Sequence, residues 1–159
     1  MILRAERAGE AGAVRALIAR AFAPMPFADE NDPLIPGALR ESGDLVLALV
    51  AVEAGRVVGQ VSFSEASVGG AAGWVALGPI AVAPERQKGG IGRSLIAEGL
   101  SRLAARPGCV LLGNPAVYGG SGFASGGVTW RDAPGRNVMK RVLAGPDAAG
   151  EIAFAPAFG

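Results

Sequence analysis

The segment Gln87-Lys88-Gly89-Gly90-Ile91-Gly92-Arg93-Ser94 is the part of this sequence best suited to hold a charged ligand. It follows an apolar, strand-like run ending at Val82. It opens the helical spacing Ile91, Leu95, Leu100 and Leu103, with Ile96 alongside. A helix start exposes backbone N–H groups without intrahelical partners and carries a partial positive charge. Glycines there let a ligand approach the backbone closely, which suits a phosphate or pyrophosphate. Arg86, Lys88 and Arg93 add positive charge. Spacing excludes two other phosphate motifs. The pattern G-x-x-x-x-G-K-S/T needs a lysine after the glycines, whereas Lys88 precedes them. The pattern G-x-G-x-x-G needs a third glycine where Leu95 stands.

Other reactive side chains are few. Histidine is absent, which excludes Ser-His and Cys-His nucleophile pairs and histidine metal sites. Cys109 is the only cysteine, so no internal disulfide and no CxxC-type zinc site forms. In the run Cys109 to Leu112 it reads as a small buried core residue. Ser121 is no nucleophile elbow, because G-x-S-x-G would need glycine where Phe123 stands. Tyr118 is the only tyrosine; taken alone it reads as a packed ring with its hydroxyl at the surface. Trp74 and Trp130 read as packing residues.

Leu77 to Ile96 resembles the acetyl-CoA motif of the GNAT acetyltransferases, whose Q/R-x-x-G-x-G/A signature is matched by Gln87, Gly90 and Gly92. Leu111-Leu112-Gly113-Asn114-Pro115 also looks like that family, and Tyr118 to Phe123 matches its Y-x-x-x-G-F element. The element order and the ending Ala155-Pro156-Ala157-Phe158 are similar to a small bacterial YhbS-like branch, so the resemblance spans nearly the whole chain. It implies a mixed α/β sheet, splayed at an acetyl-CoA site and flanked by helices. It also implies transfer of acetyl to a primary amine by direct attack in a ternary complex, with acetyl-CoA as co-substrate and no metal.

Carried over by position, the backbone of Ile80, Ala81 and Val82 would meet the pantetheine arm, and the Val82 N–H would polarise the thioester carbonyl. Gln87, Lys88, Gly89, Gly90, Ile91, Gly92, Arg93 and Ser94 would cradle the phosphates. Asn114 would reach pantetheine, and Tyr118 would protonate the departing thiolate. The base is poorly marked. Glu65 is a candidate because it is in phase with Val61 and Phe63 at a strand end, where burial would raise its pKa; an exposed strand-end carboxylate is the plainer reading. Asp29, Glu30 and Asp32 could face a cationic amine or form a solvated run. The acceptor could be a small amine, an amino acid, an antibiotic or a protein amino group, and the acyl group could be longer than acetyl. The quaternary state is open, a homodimer included. The alternative function is a non-catalytic CoA- or nucleotide-binding regulatory domain.

These residues need a scaffold, and 159 residues suffice for one domain with a sizeable core. Lys plus Arg is 15 and Asp plus Glu is 14, so the net charge of +1 offers no bulk attraction to nucleic acid or an anionic membrane. No apolar run approaches the ~18 residues of a membrane span, and Met1 to Arg7 lacks a hydrophobic signal region. A cytoplasmic protein is the expectation. Ile2 to Arg4 reads as a strand. Val14, Leu17, Ile18 and Ala21 define a helix ended by Pro24 and Pro26, and a short helix fits Leu34 to Glu41. Strands follow at Leu45 to Val52, Val57 to Val68 and Trp74 to Val82. Their turns are Glu53 to Arg56 and Gly69 to Gly73. Gly78-Pro79 breaks the third strand and predicts a bulge or a parting from its neighbour. The glycine-rich helix should run to Pro107-Gly108. Cys109 to Leu112, Val128 to Trp130 and Val138 to Leu143 complete the strands, and the tail from Glu151 docks on the body.

Overall fold

The computed structural model describes residues 1–159 throughout. Strand β1 (Ile2–Ala5) leads into helix α1 (Ala11–Phe22), whose buried residues are the predicted stripe Val14, Leu17, Ile18 and Ala21. The carboxylate of Glu10, at the start of α1, accepts from the Arg7 N–H at 2.6 Å and from both terminal nitrogens of Arg4 at 2.8 and 2.7 Å. After α2 (Ile35–Ser42) come three antiparallel strands: β2 (Leu45–Glu53), β3 (Arg56–Val68) and β4 (Ala71–Val82). A parallel crossover through α3 (Ile91–Arg102) reaches β5 (Gly108–Leu112). The chain ends with α4 (Pro115–Tyr118), β6 (Ala124–Ser125), β7 (Val128–Thr129), β8 (Val138–Val142) and β9 (Gly150–Phe154). The sheet order is β1-β2-β3-β4-β5-β8-β6, with β9 paired to β3 and β7 to β9. This is the expected mixed α/β architecture.

Alternation along the strands divides the sheet into two buried faces. On one, Val61 and Phe63 lie under α3. A Cβ at Gly99 would stand 2.3 Å from the Phe63 ring, so only glycine lets helix and sheet meet there. On the other face Val50, Gln60, Ser62 and Ala81 are also buried, and α1 packs on β3 and β4. Trp74 and Cys109 are buried packing residues as expected, and burial pushes the Cys109 thiol pKa up.

Some elements differ from the sequence reading. The turn expected over Gly69 to Gly73 is only Gly69-Gly70, because β4 already pairs with β3 at Ala71. Helix α3 stops at Arg102, before the proline expected to end it. The tail contributes a strand, with Ala66, Ser67 and Val68 of β3 paired to Phe154, Ala153 and Ile152.

Candidate active site

The parallel strands β4 and β5 pair only at Val75–Cys109 and Ala76–Val110. Past Ala76 the two strands part, and the cause lies in β4. Gly78-Pro79 puts an irregularity into its ladder with β3, between the pairs Val61–Ile80 and Phe63–Leu77. Proline also has no N–H to offer a neighbour. The buried Gln60 side chain braces the interruption, its Nε2 donating to the Pro79 carbonyl at 3.1 Å. A crevice therefore opens toward the carboxyl ends of β4 and β5, the end of an open α/β sheet where ligands bind.

The phase of the β3–β4 ladder decides which backbone groups face this crevice. The Ala83 N–H donates to the Val58 carbonyl at 2.8 Å. Pairs bonded to each other alternate with pairs whose groups point outward. Gln60–Ala81 is then a bonded pair, while Val61–Ile80 and Gly59–Val82 are not. Ile80 and Val82 turn their N–H and C=O groups to the crevice; those of Ala81 are spent on Gln60. Of the three residues expected to meet the arm, Ile80 and Val82 turn backbone groups to the crevice and Ala81 does not. The Val82 carbonyl already accepts from Gln87 Nε2 at 3.1 Å.

At the crevice mouth the glycine-rich segment forms an uncapped helix start. Gly90, with φ +87, sits at the N-cap position in a left-handed conformation that favours glycine. The first helical bond runs from the Ser94 N–H to the Gly90 carbonyl at 3.0 Å. The N–H groups of Gly90, Ile91, Gly92 and Arg93 have no acceptor in the protein. The first turn of α3 lies close over β4: a Cβ at Gly92 would sit 3.7 Å from Val82 Cγ2 and 3.9 Å from Ile80 Cδ1. Gln87, Lys88, Gly89, Gly90 and Arg93 are exposed. Arg86 does not add free charge as its type suggested, because it makes a two-pronged ion pair with Glu53 at 2.8 and 2.6 Å. Lys88 and Arg93 are the unpaired cations of the loop.

Tyr118 stands beyond the carboxyl end of β5, at the same end of the sheet. Asn114 caps α4, its Oδ1 accepting from the Ala116 N–H at 2.9 Å, and so holds the short helix that carries the tyrosine. The ring packs against the main core, burial raises the phenol pKa above its ordinary value, and the hydroxyl has no partner in the protein. The glycines after Tyr118 also have a mechanical reason. Gly122 turns the chain with φ +85 against the Arg141 side chain, which donates to the Ser121 carbonyl at 2.8 Å, and Phe123 anchors the loop in the core.

Glu65 is not brought to this end. It pairs with Val75, where β4 and β5 are still joined, and both its oxygens accept from Arg106 at 2.9 and 3.1 Å. Its side chain is 44% exposed, so the burial that would have made it a base is missing. The phase with Val61 and Phe63 was readable; the arginine returning from past α3 was not. The Asp29 and Asp32 carboxylates accept from N–H groups of their own loop, those of Asn31 and Asp29, at 2.8 Å each. No group of His, Cys, Asp and Glu side chains is arranged to hold a metal ion.

A splayed β4–β5 pair with an anion-ready helix start at its mouth is the arrangement that the resemblance to GNAT acetyltransferases leads one to expect. The profile of the Acetyltransferase (GNAT) family matches residues 13–118, and the chain belongs to that family. It is 37% identical over 127 residues to the uncharacterized N-acetyltransferase YhbS of Escherichia coli strain K12, covering 77% of this chain and 73% of that protein. Among solved structures it is similar to a GNAT family acetyltransferase from Brucella melitensis in complex with acetyl-CoA. That match has a TM-score of 0.88, 36% identity, and covers 99% of this chain and 97% of the other. It is also similar to E. coli YhbS in complex with CoA, with a TM-score of 0.89, 29% identity, and 99% and 91% coverage.

Proposed function

We propose that this enzyme transfers an acetyl group from acetyl-CoA to a primary amine by direct attack within a ternary complex. The observation that carries the reading is the crevice, with free N–H groups of Gly90 to Arg93 at its mouth and crevice-facing groups of Ile80 and Val82 inside. The residues fit such a co-substrate. A pyrophosphate suits the bare helix start with Lys88 and Arg93 beside it, and an amide-bearing arm suits the unpaired side of β4. Acetyl-CoA supplies an activated acyl carbon bearing a thiolate leaving group. With the phosphates at Gln87 to Ser94, Val82 is next to the phosphate end, and a thioester at the far end of the arm meets the deeper Ile80. We therefore reassign carbonyl polarisation from the Val82 N–H to the Ile80 N–H. Asn114, committed to capping α4, supports Tyr118 rather than the arm.

The acceptor nitrogen forms its bond to the acyl carbon, the carbon–sulfur bond breaks, and the Tyr118 phenol gives the sulfur its proton. The raised phenol pKa keeps that proton in place at neutral pH. Glu65 takes no part: an ammonium acceptor loses one proton to water before attack, and after attack the acylated nitrogen gives up a second proton, which restores the Tyr118 phenol. The use of acetyl-CoA supports a cytoplasmic reaction, carried out by residues 1–159 as one catalytic domain. The test is thiol release from acetyl-CoA with a panel of amines, repeated with Tyr118→Phe. A general acid contributes about 10²–10⁴-fold, and water substitutes in part, so kcat should fall at least about tenfold with acetyl-CoA affinity unchanged. Thiol release with no amine in the panel would remove the proposed activity. A phenylalanine variant at the parent rate would return Tyr118 to a packing role.

A further inference from the structure

We infer that Asn137 is a positioning residue for the Tyr118 phenol, acting through Gly113; this rests on the reading of Tyr118 as the proton donor. The Tyr118 hydroxyl has no hydrogen-bond partner in the protein, so packing alone fixes the ring. One wall of the ring is Gly113. A Cβ there would lie 2.4 Å from Tyr118 Cε2 and 2.7 Å from Cδ2, so the ring rests directly on the glycine backbone. A shift of Gly113 would therefore open a gap beneath the phenol ring.

Gly113 lies just past β5, where a glycine is ordinarily the freest of residues. Asn137 removes that freedom from both sides. Its carbonyl accepts from the Gly113 N–H at 2.8 Å, and its Nδ2 donates to the Gly113 carbonyl at 3.1 Å. The first bond extends the β5–β8 ladder one step beyond the Leu112–Val138 pair. The second depends on the side chain. Asn137 is itself held by a tight turn, its N–H donating to the Pro134 carbonyl at 2.9 Å. The Asn114 cap then carries the fixed geometry into α4. No other side chain bonds the Gly113 peptide.

The chain has one tyrosine, so tyrosinate absorbance titrates Tyr118 alone. In Asn137→Ala the ring loosens and its burial falls, so the titration midpoint should drop toward about 10. The value of kcat should fall about 3- to 30-fold with acetyl-CoA affinity retained, and no further fall should appear when Asn137→Ala is added to Tyr118→Phe. Asn137→Asp keeps the volume and the backbone bond but loses the donor, and should behave alike should the alanine variant fold poorly. An unmoved midpoint in both variants overturns the clamp. Losses that multiply across the double variant, while Tyr118→Phe alone is impaired, overturn its action through Tyr118. A Tyr118→Phe enzyme at the parent rate instead overturns the proton-donor reading, and is told apart by leaving the Asn137 titration shift intact.

Discussion

Gln60 offers the sharpest test of what opens the crevice. Its side chain is 1% exposed, its Nε2 donates to the Pro79 carbonyl at 3.1 Å, and its Oε1 has only the Ser62 hydroxyl at 3.5 Å. Gln60→Glu keeps the shape. The introduced carboxyl can replace the amide donor only while protonated; ionised, it sets a charged oxygen against the Pro79 carbonyl in a dry interior. Its pKa in the folded protein therefore lies above the unfolded value of about 4.3. A raised folded pKa gives stability that is fully present below the unfolded pKa and is lost as pH rises through the folded one. A fully buried carboxyl reaches a pKa of about 8–9, so the slope of about 1.36 kcal/mol per pH unit holds across this range and the variant should lose about 2.7 kcal/mol relative to its parent between pH 5 and pH 7. For a domain this size that is a widening Tm gap of roughly 5–11 °C. Gln60→Leu loses the donor at every pH and should cost about 1 kcal/mol with no such slope. Paired thermal melts of parent and variants at pH 5, 6 and 7 read both effects. A Gln60→Glu penalty that stays constant across this range would show that the amide does not brace the bulge by donating to it.

Two other perturbations follow from the same geometry. Gly92→Asp puts a carboxylate among the free N–H groups of the α3 start, with room for its Cβ, so acetyl-CoA affinity by calorimetry should fall at least about tenfold in a folded protein; unchanged affinity would move the phosphates elsewhere. Hydrogen bonds from Arg4, then from the Arg7 N–H, hold the Glu10 pKa down at about 2. A depressed pKa gives stability present above about 4.3 and lost as pH falls toward 2, so Glu10→Gln should flatten the acid limb of the Tm–pH curve between these values. An acid limb as steep as the parent's would assign the acid sensitivity to other carboxylates.

What could be read from the residues alone followed local rules. The stripe of α1 and the apolar positions of α3 have helical periods independent of any partner, and they fall on buried faces. The parting of β4 from β5 was legible because Gly78-Pro79 carries its own physical cause. Features set by distant partners were not. Ala81 faces Gln60 because the Ala83–Val58 bond sets the ladder phase, and no residue type encodes that phase. The strands Ala124–Ser125 and Gly150–Phe154 exist only because β8 and the end of β3 receive them. Asn137 sits in no motif, and its two bonds to Gly113 appear only once β8 lies against β5.

The interruption at Gly78-Pro79 has a second consequence. A strand parted from its neighbour is an edge, and an edge of unpaired groups can recruit any extended chain, including another copy of itself. Here the exposed row is short. Proline withholds its N–H, Gln60 takes the Pro79 carbonyl, Ala81 faces inward, and Gln87 covers the Val82 carbonyl. Little remains but the N–H groups of Ile80 and Val82 and the Ile80 carbonyl, too few for a polypeptide to register against and enough for a ligand anchored elsewhere by its phosphates. The feature that opens the sheet to a small molecule thus also guards it against aggregation.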